Sequence, residues 1–252
     1  LHAADAIVVT NSRDALAAQH LSIDSQKIYR APLSTHFHLH QPGADIKKKA
    51  RNRLNLPLGD FIVAFFGFIV PGRNIDILLR ALAQLRRDGR PVHGLIIGGP
   101  HEYAPKYYEK CHKLSIKMGL QPHITWTGYA SQQQVADGLA AADVFVSLLQ
   151  RGADLRNSSI LTGILAGLPV ITSYNSRYYH DPELEKLGCV CVNPRDYHAA
   201  AAAIQAVMEN PPDAEVLWQR GRAWEPQRVW NHNIEVHIQA LLGGPPPPLL
   251  EF

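Results

Sequence analysis

The stretch FIVAFFGFIVPGRNIDILLRAL at residues 61–82 decides the fold. Its opening, Phe61–Ile69, is almost unbrokenly apolar. That is the pattern of a strand covered on both faces, not of one with a wet side. From Ile75 the period changes: Ile75, Leu78, Leu79, Leu82 and Leu85 recur at helical spacing. A strand, a glycine-bearing turn and an amphipathic helix make the first part of a crossover unit.

Outward from this stretch the same unit returns. Further strands are predicted at Gly94–Gly98, Ile124–Gly128, Asp143–Leu149, Pro169–Ser173 and Cys189–Val192. Helices are predicted at Tyr107–Met118, Gln132–Ala141, Ser159–Ala166 and Ala199–Met208. Such alternation implies an α/β fold: a Rossmann-like parallel six-stranded sheet with helices on both faces and right-handed crossovers. In these sheets ligands bind beyond the carboxyl ends of the strands, where the strand order reverses. The loops that follow strands are therefore where chemistry belongs.

Residues 1–40 stand apart. Ala6–Thr10 reads as a short strand, Asn11-Ser12 as a helix cap before Arg13–His20, and Lys27–Arg30 as a second short strand. These pieces bury too little to fold alone and are expected to complete a neighbouring domain. Residues 41–60 read as a connector, 61–242 as the ligand-binding domain, and the proline-rich 243–252 as a disordered tail.

Composition bounds the function. The chain has 252 residues, 46% hydrophobic and 19% charged, ordinary for a globular domain. A net charge of +3 is too small to indicate nucleic acid or an acidic membrane surface. The run Lys47-Lys48-Lys49 reads as a solvated helix face. Three cysteines are too few for a disulfide framework. Cys189 and Cys191 alternate, so both point to one face of a strand as reduced thiols, which suits a cytoplasmic protein. His36, His38 and His40 share a spacing that could gather a metal, but they sit in a polar connector, and no metal is expected.

Three loops carry candidate chemistry. After the first strand comes Gly67-Phe68-Ile69-Val70-Pro71-Gly72-Arg73-Asn74. A glycine turn opening a helix admits an anion closely, and Arg73 offers a forked cation for a diphosphate. The three-glycine spacing of a dinucleotide fingerprint is absent, which disfavours a dehydrogenase. Gly152-Ala153-Asp154-Leu155-Arg156-Asn157-Ser158-Ser159 precedes the later helix, with Asn157 and Ser158 as cap residues and Arg156 beside the helix amides. In Gly98-Gly99-Pro100-His101-Glu102 tight turns explain the glycines, and His101 is a weaker candidate to reach a ligand.

Taken together these stretches resemble the carboxyl-terminal, donor-binding domain of the group 1 retaining glycosyltransferases, one half of a GT-B architecture. The resemblance runs from about residue 3 to 235. It rests on ADAIVVTNS at 4–12, FFGFIVPGRNIDILLRAL at 65–82, LIIGGP at 95–100, ITWTGYAS at 124–131, AADVFVSLL at 141–149 and SSILTGILAGLPVITS at 158–173.

The resemblance implies a nucleotide-diphosphate sugar as substrate, no cofactor, and an acceptor glycan, lipid or small molecule held by an amino-terminal domain. Any peripheral membrane contact would run through that domain, and no nucleic acid is involved. In that family an Arg and a Lys on the first loop bind the donor diphosphate. Here Phe68 stands at the Arg position and Arg73 at the Lys position. Two family glutamates, for the transferred sugar and the ribose, fall on Asp154 and Thr162. Arg156 and Ser159 look like an Arg-x-x-Ser branch. Gly67 and Gly72, Gly128 and Tyr129 (beside the base), and Asn157 and Ser158 complete the implied donor site, with Arg73 and Asp154 as its catalytic pair. Phe68 and Thr162 also admit a second reading, a noncatalytic nucleotide-binding or assembly module on the same fold. A sugar-nucleotide epimerase lacks a carboxylate set for proton abstraction.

Overall fold

In the computed structural model, residues 3–33, 35, 37–174, 181–224 and 230–246 are described. In chain order the elements are β1 (Ile7–Val9), α1 (Ser12–His20), β2 (Ile28–Arg30), α2 (Ala44–Arg53), β3 (Phe61–Phe66), α3 (Ile75–Arg87), β4 (Val92–Ile97), α4 (Pro105–Lys117) and β5 (Ile124–Trp126). There follow α5 (Gln132–Ala141), β6 (Val144–Val146), α6 (Ser158–Leu165), β7 (Val170–Ser173), α7 (Pro182–Lys186), β8 (Val190–Val192), α8 (Tyr197–Glu209), α9 (Ala214–Trp224) and α10 (Trp230–Leu242).

The main sheet is six-stranded with order β5-β4-β3-β6-β7-β8, and every pairing in it is parallel. Alternation along β3 shows why. Val63 and Phe65 enter the layer under α3, α4 and α8. Ile62 and Ala64 enter the layer under α2, α5 and α6. All four are fully buried, so truncating Phe65 to Ala should cost about 3–5 kcal/mol.

All the strands but β4 are shorter than their expected runs, and β4 begins two residues earlier, at Val92. The β3–β4 ladder outlasts both strands irregularly: Gly67 donates to Ile97 and Ile69 to Gly99, each at 3.0 Å. Gly67 and Gly98 have φ of 138° and 137°, which breaks the pleat. A Cβ on Gly98 would meet the Gly67 carbonyl oxygen at 2.1 Å, so only glycine lets the two loops approach.

Residues 44–53 of the expected connector form α2. This helix is anchored by charge. Arg51 donates to Asp143 at 2.5 Å and to the carbonyls of Ala141, Leu58 and Asp60. Lys47 reaches Asp143 at 2.9 Å, while Arg53 and His40 reach Asp137 at 2.9 and 3.0 Å. Lys48 and Lys49 are exposed. β1 and β2 form a separate parallel pair. Tyr29 and Ala31 there pack against Val236 of α10.

Cys189 and Cys191 pack into one layer while Val190 stays 44% exposed, and all three cysteines are free. Among the described residues no three His, Cys, Asp or Glu gather as metal ligands, and no helix is long and apolar enough to cross a membrane. His36 of the considered metal set, and residues 247–252 of the expected disordered tail, lie outside the described residues.

Candidate functional site

The chain runs β3, β4, β5 outward on one side, then returns to β6, β7, β8 on the other. The order therefore reverses between β3 and β6, and in such sheets the ligand crevice lies beyond the carboxyl ends of the strands that flank the reversal. Two loops border it. After β3, residues 67–70 lead into a 3-10 turn at Pro71–Arg73, and Asn74, left-handed at φ 49°, turns the chain into α3. After β6, residues 147–157 lead into α6. The loops are tied directly, since Gln150 N donates to the Gly72 carbonyl at 2.9 Å.

Arg73 crosses this crevice. Its Nη1 donates to Ser159 Oγ at 3.0 Å. Burial pushes the guanidinium below its usual value and the nearby Tyr103 hydroxyl pushes back, but an arginine stays charged at physiological pH. Ser159 is 3% exposed, on the first turn of α6. Asn157 takes the cap position but makes no cap bond. Its side-chain amide donates instead to the Asp154 carbonyl at 3.0 Å and carboxylate at 3.2 Å. The Ser159 amide, second in α6, thus lacks the acceptor that an Asn cap normally supplies, and the Ser158 amide before it is one that such a cap does not reach.

Asp154 and Arg156 hold each other rather than the crevice. Arg156 forks onto Asp154 Oδ2 at 3.0 and 2.6 Å, its own amide donates to Oδ1 at 2.9 Å, and Asp14 stands 3.6 Å from its far nitrogen. The Asp154 hydrogen bond raises the Arg156 pKa. Thr162 is fully buried. Its hydroxyl donates to the Ser158 carbonyl at 2.7 Å, with Thr35 Oγ1 at 3.2 Å, so it is withdrawn from the crevice.

Toward β4 and β5 the rim is aromatic. Phe68 is 51% exposed and meets His101 edge-on at 4.8 Å, and His101 meets Tyr103 at 4.3 Å. Tyr129, 68% exposed, covers Gly99 and donates its hydroxyl to the Pro100 carbonyl. Gly128, at φ 66°, bridges to Gly98 and so joins the third loop to the second.

The structure thus brings Gly67, Gly72, Arg73, Ser158 and Ser159 together. It sets Gly128 and Tyr129 further along the rim and turns Thr162 inward. Two further contributors are not among the residues expected from the sequence. Tyr103, packed on His101, is close enough to Arg73 to act on its charge. Asp181, 3% exposed, accepts from Leu155 N at 3.2 Å and steadies the turn before α6. The dipeptide Asp181-Pro182 carries a helix-start signal that could have flagged it.

Among known proteins, the chain is 29% identical over 184 residues to the D-inositol 3-phosphate glycosyltransferase of Streptomyces scabiei (strain 87.22), covering 68% of this chain and 41% of that one. It is 27% identical over 196 residues to the GDP-mannose-dependent alpha-(1-6)-phosphatidylinositol monomannoside mannosyltransferase of Mycolicibacterium smegmatis, covering 73% and 50%. It therefore spans half or less of these relatives' length. Among solved structures, sucrose-phosphate synthase from Thermosynechococcus elongatus superposes with TM-score 0.75 at 22% identity, covering 96% of this chain and 59% of that one. The Anabaena protein HepE in complex with UDP and glucose gives 0.71 at 16%, covering 94% and 62%. These two likenesses establish the fold, half of a GT-B architecture. The profile described as "Glycosyl transferases group 1" matches residues 46–224, and the chain belongs to that family.

Proposed function

We propose that this chain is the donor-binding part of a retaining glycosyltransferase, gripping a nucleotide-diphosphate sugar at the crevice between β3 and β6. The observation that carries the reading is the Arg73–Ser159 contact of 3.0 Å at a helix start whose Asn cap is diverted. A guanidinium and free amides there are donors aimed where a departing diphosphate gathers charge. As the bond from sugar to phosphate breaks, the diphosphate takes the electron pair and Arg73 stabilises it. The backbones at Gly67 and Gly72 leave room for the phosphates, and the base lies along the rim toward Gly128 and Tyr129. Phe68 borders the diphosphate from that side. The bound UDP of HepE supports this choice of ligand. Asp154 can face the transferred sugar only once its fork with Arg156 opens.

We assign acceptor binding to an amino-terminal domain, of which residues 1–40 are the last part. Residues 61–242 are then the donor domain, with 41–60 joining the two. Asp14 reaching Arg156, and Thr35 reaching Thr162, support such coupling. Three free cysteines support a reducing compartment.

The test is calorimetric titration of UDP, GDP and ADP into the chain and into its Arg73→Ala variant. We expect one nucleotide to bind and the variant to weaken it. If none binds, the donor reading fails. The buried Thr162 and the clamped Asp154 favour a second reading, a binding module without turnover. Sugar release from a bound donor by the protein carrying both domains decides between the two. The 252 residues alone are expected to bind donor without transferring it.

A further inference from the structure

A second anion site lies away from this crevice, on the helical layer over the other sheet face. Arg80, Ala83 and Arg87 form one stripe of α3. Lys117 ends α4, Met118 follows it, and Tyr197 opens α8. These six residues line one cavity of about 380 Å³. Three are cations, none is acidic, and among the described residues none of the three cations has an ion-pair partner. Neighbouring cations do find one: Arg86 meets Asp60 at 3.3 Å, Lys110 meets Asp76 at 3.6 Å, and Arg90 meets Glu209 at 2.8 Å.

Helix dipoles explain part of this. Arg87 and Lys117 sit in the last turns of their helices, where a cation is favoured. Arg80 sits in mid-helix, and the dipole gives no reason for it to join them. All three cations are exposed, so solvent screens much of their mutual repulsion, and a bound anion would offset the rest.

We propose that this cavity binds a phosphate-bearing small molecule of about the size of a sugar phosphate. Two guanidiniums can fork onto phosphate oxygens, Lys117 adds a point charge, and the Tyr197 hydroxyl adds a hydrogen bond. Ala83 and Met118 give the ligand's remainder an apolar floor. The volume lies within the range of small-molecule sites. The assignment does not depend on the donor reading, because no residue is shared with it.

The experiment titrates inorganic pyrophosphate and glucose 6-phosphate into Arg73→Ala, which weakens the first site, and into Arg73→Ala with Arg80→Gln and Arg87→Gln. Saturable binding to the single variant is expected, weakened by about tenfold or more in the triple variant, because removing even one charge-assisted hydrogen bond acts on that scale. Circular dichroism checks that the triple variant keeps its helices, and Lys117→Gln, outside both arginines, repeats the test if it does not. No saturable binding to Arg73→Ala, or equal binding to both proteins, overturns the proposal. So does sedimentation with phosphatidylglycerol vesicles without any response to the free phosphates, which would make the surface a lipid contact.

Discussion

Replacing Arg73 by Met keeps a long apolar stem and removes the charge together with its N–H donors. Two consequences follow, and they are separable. A bound diphosphate loses charge-assisted hydrogen bonds contributing about 1.5–3 kcal/mol, which weakens UDP binding by about 10- to 150-fold. Ser159 Oγ, 3% exposed, loses its donor, at a cost of about 1 kcal/mol. Against that, a half-buried guanidinium no longer has to be desolvated, so net stability should move by less than about 1 kcal/mol. Ser159→Ala removes the same hydrogen bond from the other side but leaves the cation, freeing Nη1 for phosphate. Its UDP affinity should stay within about threefold of the parent, and the double variant should match Arg73→Met. Calorimetry on all four proteins, with urea midpoints alongside, completes the cycle. In the protein carrying both domains, Arg73→Met should also slow transfer by about a hundredfold. Unchanged UDP affinity in Arg73→Met would refute this reasoning. So would an equal loss in Ser159→Ala, which would make the contact a structural tie and nothing more.

Phe68→Arg places a second cation beside Arg73 at a position already 51% exposed, and should tighten UDP binding by about tenfold at unchanged stability, read by calorimetry. Asp143→Ala strands the Arg51 guanidinium, whose side chain is 8% exposed, and should cost about 3 kcal/mol in urea unfolding. Adding Arg51→Met should recover part of that. Burial pushes the His93 imidazole down to about 4, so the fold holds it neutral while the unfolded chain protonates near 6.5. Because the unfolded state then binds more protons, stability is whole above the unfolded value and declines as pH falls toward the folded one, by on the order of 2–3 kcal/mol. His112 and His123, lowered by burial too, add in the same direction. Urea midpoints at neutral and mildly acid pH should show this slope, and His93→Gln should flatten it. Gly98→Ala drives a Cβ to 2.1 Å from the Gly67 carbonyl, so it should separate the first two rim loops and lower both stability and nucleotide affinity.

The six strands, and the helices that follow all of them but β7, could be read from apolar period because burial is what writes that period; the five-residue α7 is too short to show one. Ile62 with Ala64, and Val63 with Phe65, serve opposite layers, and no partner need be known to see it. α2 escaped the same reading. Its position depends on Arg51 and Lys47 meeting Asp143, over ninety residues away, and a charge pattern does not name its partner. The site divides along the same line. That Arg73 would meet the start of α6 is implied by the family resemblance, and the strand order supplies its reason, since both loops leave strands that flank the reversal.

What the sequence could not show is a relay of polar contacts. Asp14 stands beside Arg156, Arg156 holds Asp154, and Asp154 draws Asn157 away from the helix end it would otherwise cap. Local propensity reads Asn157 as a cap, and local propensity is overruled. The consequence is functional. A capped α6 would have its Ser159 amide shielded by the Asn157 side chain. With Asn157 diverted it stays open beside Arg73, and the residue holding the far end of that relay, Asp14, belongs to the segment assigned to the acceptor domain. Asp14 meets Arg156 only at 3.6 Å between two solvent-accessible side chains, so the fork onto Asp154, and with it the diversion of Asn157, is held within the loop itself.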